Sequence, residues 1–303
     1  MRNIISGFLV LCLAVISACS PDKGKEFHIF YLGGQSNMDG FGYVSELPDY
    51  LKEPMQDVYI FHGNTNPDDI VSDGKGIWTI LRPGHGAGFT SNGTGNSYSD
   101  RFGCELSFAH KIKELNSGLN IAIIKYSKGG TSIDGEAARN FGSWDPDYKD
   151  GKGINQYDHF LSVVEKAMAE KDIDGDGYED KLIVAGIIWM QGESDADVTE
   201  EIASRYYDNL HNLMQLIRSA LGSDDIPIVI GRISDSGNDP SGMVWEHGDI
   251  VRNAQEMFVE DDPMAAIVTA TDNYGYSDPW HYDSEGFIDL GEQFAIKLDS
   301  LGI

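Results

Sequence analysis

A chain of 303 residues with 41% hydrophobic and 11% aromatic residues has globular composition, which excludes wholesale disorder. Its 22 basic and 49 acidic residues leave a formal charge of −27. That excess repels phosphate backbones and anionic headgroups, so the charge excludes nucleic acid as a partner and a basic patch docked on lipid.

Residues 1–18 read as an export signal. Arg2 precedes an uncharged run from Asn3 to Ala18, which falls short of the roughly twenty apolar residues of a bilayer span. The run ends Ile16-Ser17-Ala18-Cys19 and resembles the bacterial lipobox, in which the Cys becomes the lipidated first residue of the mature chain. That resemblance implies an exported lipoprotein at the outer membrane, anchored through lipid at Cys19, with residues 19–25 as a polar tether. With Cys12 removed and Cys19 lipidated, Cys104 has no disulfide partner and reads as a small buried residue rather than a nucleophile.

From there, strands and helices alternate. Apolar runs of strand length occupy Phe27–Leu32, Val58–Phe61, Ile121–Tyr126, Leu182–Met190, Ile226–Ile230 and Ala265–Thr269. Several are continuous rather than alternating, as in strands covered on both faces. Helical spacing marks Cys104–Leu115, Phe160–Glu170, Thr199–Leu221, Asp249–Val259 and Glu285–Leu301. The alternation predicts one α/β domain over residues 26–303, with a parallel sheet between two helical layers. The Gly-, Asn-, Ser- and Asp-rich stretch His62–Asp100 reads as loop, and so does Thr131–Tyr157.

In such a sheet, ligands bind beyond the carboxyl ends of the strands. The first strand is followed by Gly33-Gly34-Gln35-Ser36-Asn37-Met38. Ser36 fits a nucleophile at a glycine-lined turn, and equally a helix cap. The third strand is followed by Ser127-Lys128-Gly129-Gly130-Thr131, either a loop or a backbone that approaches a ligand closely. Then comes Gln191-Gly192-Glu193-Ser194-Asp195, an amide and two carboxylates that fit an oxyanion donor and acids, or caps for the helix near Thr199. Last comes Asp278-Pro279-Trp280-His281, where an acid three residues before a His supplies an orienter and a base. Of the eight histidines, His281 alone joins a post-strand loop to an adjacent acid, while His62 and His85 lie in the long loop, where they could touch substrate. Separately, Asp172-Ile173-Asp174-Gly175-Asp176-Gly177-Tyr178-Glu179-Asp180 follows the first nine positions of an EF-hand loop. Asp172, Asp174, Asp176, Tyr178 and Asp180 then stand as possible Ca²⁺ ligands, although Ile183 replaces the closing Glu. A solvated acidic turn fits the same residues.

Taken in order, the blocks Gly34-Gln35-Ser36-Asn37-Met38, Gly129-Gly130-Thr131, Trp189-Met190-Gln191-Gly192-Glu193 and Asp278 to His281 resemble the SGNH hydrolase superfamily. Within it they are similar to the sialate O-acetylesterase-like group and the family 6 carbohydrate esterases, which include acetylxylan esterases. The resemblance implies a three-layer α/β/α sandwich that removes acetyl groups from an acetylated oligo- or polysaccharide, with no cofactor required. It implies Ser36 as nucleophile and His281 as base. Ser36, Gly129, Gly130 and Gln191 would form the oxyanion hole, and Gln35 and Asn37 would stand at the substrate. Asp278 is the favoured acid, with Glu193 as a second. Two rivals remain: a lipase or thioesterase on the same fold, which predicts an apolar groove, and a non-catalytic glycan-binding lipoprotein. Polar loops dotted with Trp78, Trp144, Trp245 and Trp280 favour sugar over acyl chain.

Overall fold

The computed structural model describes residues 24–64, 74–149 and 154–303. The export signal, Cys19 and most of the tether lie outside the described residues. The first half of the chain gives β1 (Glu26–Gly34), α1 (Ser36–Asp39), β2 (Gly42–Tyr43), β3 (Met55–His62), β4 (Trp78–Leu81), β5 (Thr90–Ser91), β6 (Asn96–Ser97), β7 (Arg101–Phe102) and α2 (Glu105–Leu115). The second half gives β8 (Asn120–Ser127), α3 (Gln156–Ala169), β9 (Lys181–Met190), α4 (Glu193–Ala196), α5 (Glu200–Ser204), α6 (Tyr206–Ala220), β10 (Ile228–Gly231), α7 (Gly248–Asp261), β11 (Ala265–Val268) and α8 (Ser284–Asp299).

Seven strands form one sheet in the order β11-β10-β9-β1-β8-β3-β4, parallel except at the β3–β4 edge. The continuous apolar run of β1 is explained by its central place, buried between β8 and β9 and covered on both faces. Successive residues point to opposite faces. Phe30 meets Phe108 of α2, while Tyr31 meets Phe160 of α3. In β8 the same alternation sends Lys125 to Glu105 of α2 and the Tyr126 hydroxyl to Gln156 of α3. Helices α2 and α8 pack along each other on the first face. On the second face, Trp144 sits against Tyr126 and borders a cavity shared with Leu213 and Leu216 of α6. The result is the three-layer α/β/α sandwich expected from the alternation.

Two elements differ from the sequence expectation. The stretch read as loop after His62 contributes β4, antiparallel to β3, and the short pair β5–β6. Four residues, Trp78 to Leu81, are too few to stand out in a glycine-rich segment; Trp78 holds the strand in place through Phe61 and through the Ala167 carbonyl, 3.0 Å from its indole nitrogen. The helix expected over Thr199–Leu221 breaks at Arg205 into α5 and α6. The Arg205 N–H bonds to Ile202 at 3.0 Å, which tightens the turn, and its guanidinium is drawn to Asp134, Glu136 and Glu201.

Candidate active site

Gly34, at the end of β1, has φ +143° and passes so near the Met190 carbonyl that a Cβ would sit 2.0 Å from its oxygen. This close approach turns the chain sharply into α1, with Gln35 ahead of the helix and Ser36 as its first residue. No side chain caps α1, so the Ser36 hydroxyl is not spent on capping. Ser36 is 8% exposed, and its Oγ has no hydrogen-bond partner among the described residues.

The neighbouring Asn37 ties α1 to the chain around His281. Its Nδ2 donates to Glu193 Oε1 at 2.7 Å and to the Trp280 carbonyl at 3.2 Å, while its Oδ1 accepts from the Tyr282 N–H at 3.3 Å. It therefore grips the backbone on both sides of His281. His281 Nδ1 lies 2.7 Å from Asp278 Oδ2. The N–H groups of Trp280 and His281 both donate to Asp278 Oδ1 at 2.8 Å. Partial burial works to raise the Asp278 pKa, but the bonds from the His281 ring and these N–H groups outweigh it and hold the carboxyl below its ordinary value. Phe41 lies flat on the His281 ring, with centroids 3.6 Å and planes 2° apart. The imidazole is thus fixed at its edge by Asp278 and on its face by Phe41. Sequence reasoning missed Phe41, since no spacing rule marks an aromatic five residues past a serine.

Glu193 is placed differently. It is buried, accepts from Asn37 through Oε1, and leaves Oε2 buried with no partner. Burial pushes its pKa up to about 7. Helix capping near Thr199 falls to Thr199 itself, whose hydroxyl accepts from the Ile202 N–H. Asp195 accepts from the N–H groups of Ile133 and Asp134 and from Gln191, and burial raises its pKa to about 6 against those bonds.

The expected oxyanion donors divide into two groups. The N–H groups of Ser36 and Gly130 have no protein partner among the described residues. The Gly129 N–H donates to Asp39 Oδ2 at 2.8 Å, although Gly129 itself lies against Ser36. The Gln191 amide is fully buried and donates to Gln35 Oε1, the Thr131 carbonyl and Asp195 Oδ2. Gln35 and Asn37 also face inward: Gln35 Oε1 accepts from Gln191 and from the Gly192 and Ser194 N–H groups. These amides therefore brace the loops that carry Ser36 and His281. Asp39, one helical turn after Ser36, also accepts from the Ser127 hydroxyl and so pins the glycine loop to α1.

A profile for the carbohydrate esterase, sialic acid-specific acetylesterase family matches residues 26–300. The chain belongs to that family. Solved structures agree on the fold. A protein from Arabidopsis thaliana superposes with TM-score 0.63 at 20% identity, covering 91% of this chain and 98% of the other. A carbohydrate acetylesterase from Xanthomonas citri gives 0.59 at 15%, covering 90% and 56%. NanS gives 0.59 at 13%, covering 92% and 98%. No curated protein matches. The protein is therefore a carboxylic ester hydrolase of the carbohydrate acetylesterase kind, on an SGNH-type fold.

Other expectations can be placed on this esterase. His62 and His85 pair through their Nδ1 atoms at 3.2 Å, and both are buried. Burial, with the Lys125 charge, lowers both pKa values well below the ordinary value. His62 borders a cavity of about 240 Å³ with Asp39, Asn64, Phe89 and Lys128, while His85 is wholly enclosed. Cys104 is buried and its thiol is pushed up to about 12, which fits a packing role. In the acidic turn, Asp172, Asp174 and Asp176 can each bring a carboxylate oxygen within 4.8 Å of the others. The Lys25 ammonium already reaches Asp174 and Asp176, and the Asp180 carboxylate is spent on the Lys25 and Ile173 N–H groups.

Proposed function

We propose that the esterase releases acetate from an acetylated glycan by two-step acyl transfer, with Ser36, His281 and Asp278 as nucleophile, base and orienting acid. The observation that carries this reading is the Asp278–His281 pair, whose flanking backbone is gripped on both sides by Asn37, the residue after Ser36. His281 Nε2 takes the Ser36 proton as Oγ attacks the acetyl carbonyl, a step for which catalytic pairs commonly tighten only around substrate. The N–H groups of Ser36 and Gly130, at a helix start and a glycine turn, are the donors open to the developing oxyanion, each worth about 3 kcal/mol. His281 then protonates the departing sugar oxygen and leaves Ser36 acetylated. Water, deprotonated by His281, attacks the acetyl-enzyme, and acetate departs as Ser36 regains its proton. Asp278 holds the imidazole Nδ1–H and stabilises the imidazolium in both steps. Glu193 acts at one remove, by holding Asn37.

Acetate release measured across acetylated sialic acid, acetylated xylan and other acetylated glycans tests the reading and selects the substrate. Ser36→Ala is expected to fold normally and lose at least about a thousandfold in kcat. A folded Ser36→Ala variant with full activity would refute the assignment, and a wild type that cleaves neither these glycans nor p-nitrophenyl acetate would favour the non-catalytic binder. Lipid anchoring through Cys19 is part of the proposal, and fatty-acid labelling lost in Cys19→Ser is its test. For Ca²⁺ at the acidic turn, calorimetric titration of the full chain decides: heat of binding at millimolar Ca²⁺ supports the site, and its absence removes it.

A further inference from the structure

Of the four tryptophans that suggested sugar stacking, three are structural: Trp144 and Trp245 are buried, and Trp78 is anchored through its indole nitrogen to Ala167. Trp280 alone is open, with 50% exposure. Its ring is free while its backbone is not. The N–H is held by Asp278, the carbonyl by Asn37, and the preceding Pro279 carbonyl by the Ser236 hydroxyl at 2.8 Å. The backbone that carries the indole is therefore pinned next to His281, with 6.4 Å between the two ring centroids.

A second open aromatic flanks the site. Phe141 is 45% exposed and rests on Gly130, whose φ is +77° and whose Cβ, if present, would fall 2.6 Å from the ring. Its N–H bonds to the Ala138 carbonyl at 3.0 Å, and its carbonyl accepts from Gln156 at 3.1 Å. The two rings arrive from opposite sides of the sheet. Trp280 belongs to the turn that leads into α8, on the α2 face, and Phe141 to the loop that leads into α3, on the other face. Ser36 is linked to both: Gly129, before the Gly130 under Phe141, lies against Ser36, and Asn37, after Ser36, holds the Trp280 carbonyl.

Scattered exposed apolar side chains are ordinary. These two differ in standing on hydrogen-bonded backbone, one ring next to His281 and the other on Gly130. An aromatic face binds the apolar C–H face of a pyranose, while polar groups around it meet the hydroxyls. We infer that Trp280 and Phe141 are sugar-stacking platforms on either side of Ser36, which take the units flanking the acetylated one, so the natural substrate is an oligo- or polysaccharide rather than a single sugar. This inference rests on the esterase reading for its substrate class.

The test compares kcat/KM on an acetylated xylo-oligosaccharide of six units with kcat/KM on p-nitrophenyl acetate. Trp280→Ala and Phe141→Ala are each expected to lower the ratio about tenfold or more, chiefly through KM on the oligosaccharide. Trp280→Tyr and Phe141→Tyr, which keep a ring, restore most of it. In parallel, quenching of indole fluorescence by the same oligosaccharide is measured in Ser36→Ala, with and without Trp280→Ala. A ratio unchanged in both alanine variants overturns the inference. So does a loss of the two activities in parallel, which would place the rings in the chemistry rather than in stacking. If wild type hydrolyses neither ester, the esterase reading fails, and the binding measurement still decides the platforms: Ser36→Ala that binds no oligosaccharide, or binds it equally without Trp280, refutes them.

Discussion

Asp278, paired with His281, and Glu193, paired with Asn37, are two carboxyls in very different surroundings. Asp278 sits at the surface end of a turn, surrounded by donors, and stays ionised. Glu193 lies in a dry place with one donor and an orphaned oxygen. Asp278→Asn is accordingly expected to cut kcat by about a thousandfold or more, because the amide favours the wrong imidazole tautomer. Glu193→Gln keeps an acceptor for Asn37 and is expected to stay within about tenfold of wild type. Steady-state kinetics of the two variants decide, and the reverse ranking would make Glu193 the acid. Glu193 also carries a pH signature. Its pKa rises from an ordinary 4.5 to about 7, and that of Asp195 from 3.8 to about 6. Between those values the folded chain holds protons that the unfolded chain has released. The contribution of these groups to stability therefore falls as pH rises from about 4 to 7 and is least above it. Glu193→Gln should gain up to about 3 kcal/mol over wild type at pH 8 and little at pH 4.5. Thermal melts at both values check this, and equal shifts would contradict it.

The ends of α1, β8 and α2 meet at one enclosed cation. Lys125 and Glu105 have no exposed side-chain surface and lie 2.8 Å apart. The ammonium also donates to the Asp39 and His85 carbonyls at 2.9 Å each, so all three of its protons are used. Lys125→Met strands the Glu105 charge and should cost about 3–5 kcal/mol in urea unfolding. Adding Glu105→Gln should recover part of that loss, and a double variant no better than the single would show that the charge is not the cause. Lys125 interrupts an apolar strand, so periodicity alone gave no reason to pair it with Glu105, which lies 20 positions earlier. The elements that set the architecture were legible because β1, β8 and β9 are apolar on both faces apart from single polar positions, as strands covered by two helical layers are. Ser36, His281 and Asp278 could be named as candidates because each follows a strand or turn, and the structure pairs Asp278 with His281. Phe41, Asp39 and the inward turn of Gln35 and Asn37 were not legible, since they depend on which acceptor a side chain finds across the fold.

A net charge of −27 places the whole molecule in a field that repels anions. Salt weakens that field over a Debye length of about 10 Å at 0.1 M. Raising NaCl from about 20 to 200 mM should therefore increase kcat/KM for an acetylated sialic acid and leave that for acetylated xylan nearly flat. Initial rates across the salt series test this, and equal responses would locate the effect in the enzyme rather than in the encounter. The central position of β1 has a consequence for synthesis. Tyr31 bonds to the Tyr126 carbonyl 95 positions later, and Asn37 closes on Trp280 across 243. The strand that precedes Ser36 is made before both of its neighbours, β8 and β9, and the Asn37 contact waits for Trp280, later still. Non-local pairing of this kind folds slowly. The Asn37–Trp280 contact, and with it the placing of the turn proposed to carry base and acid, can form only once the chain has been made as far as Trp280.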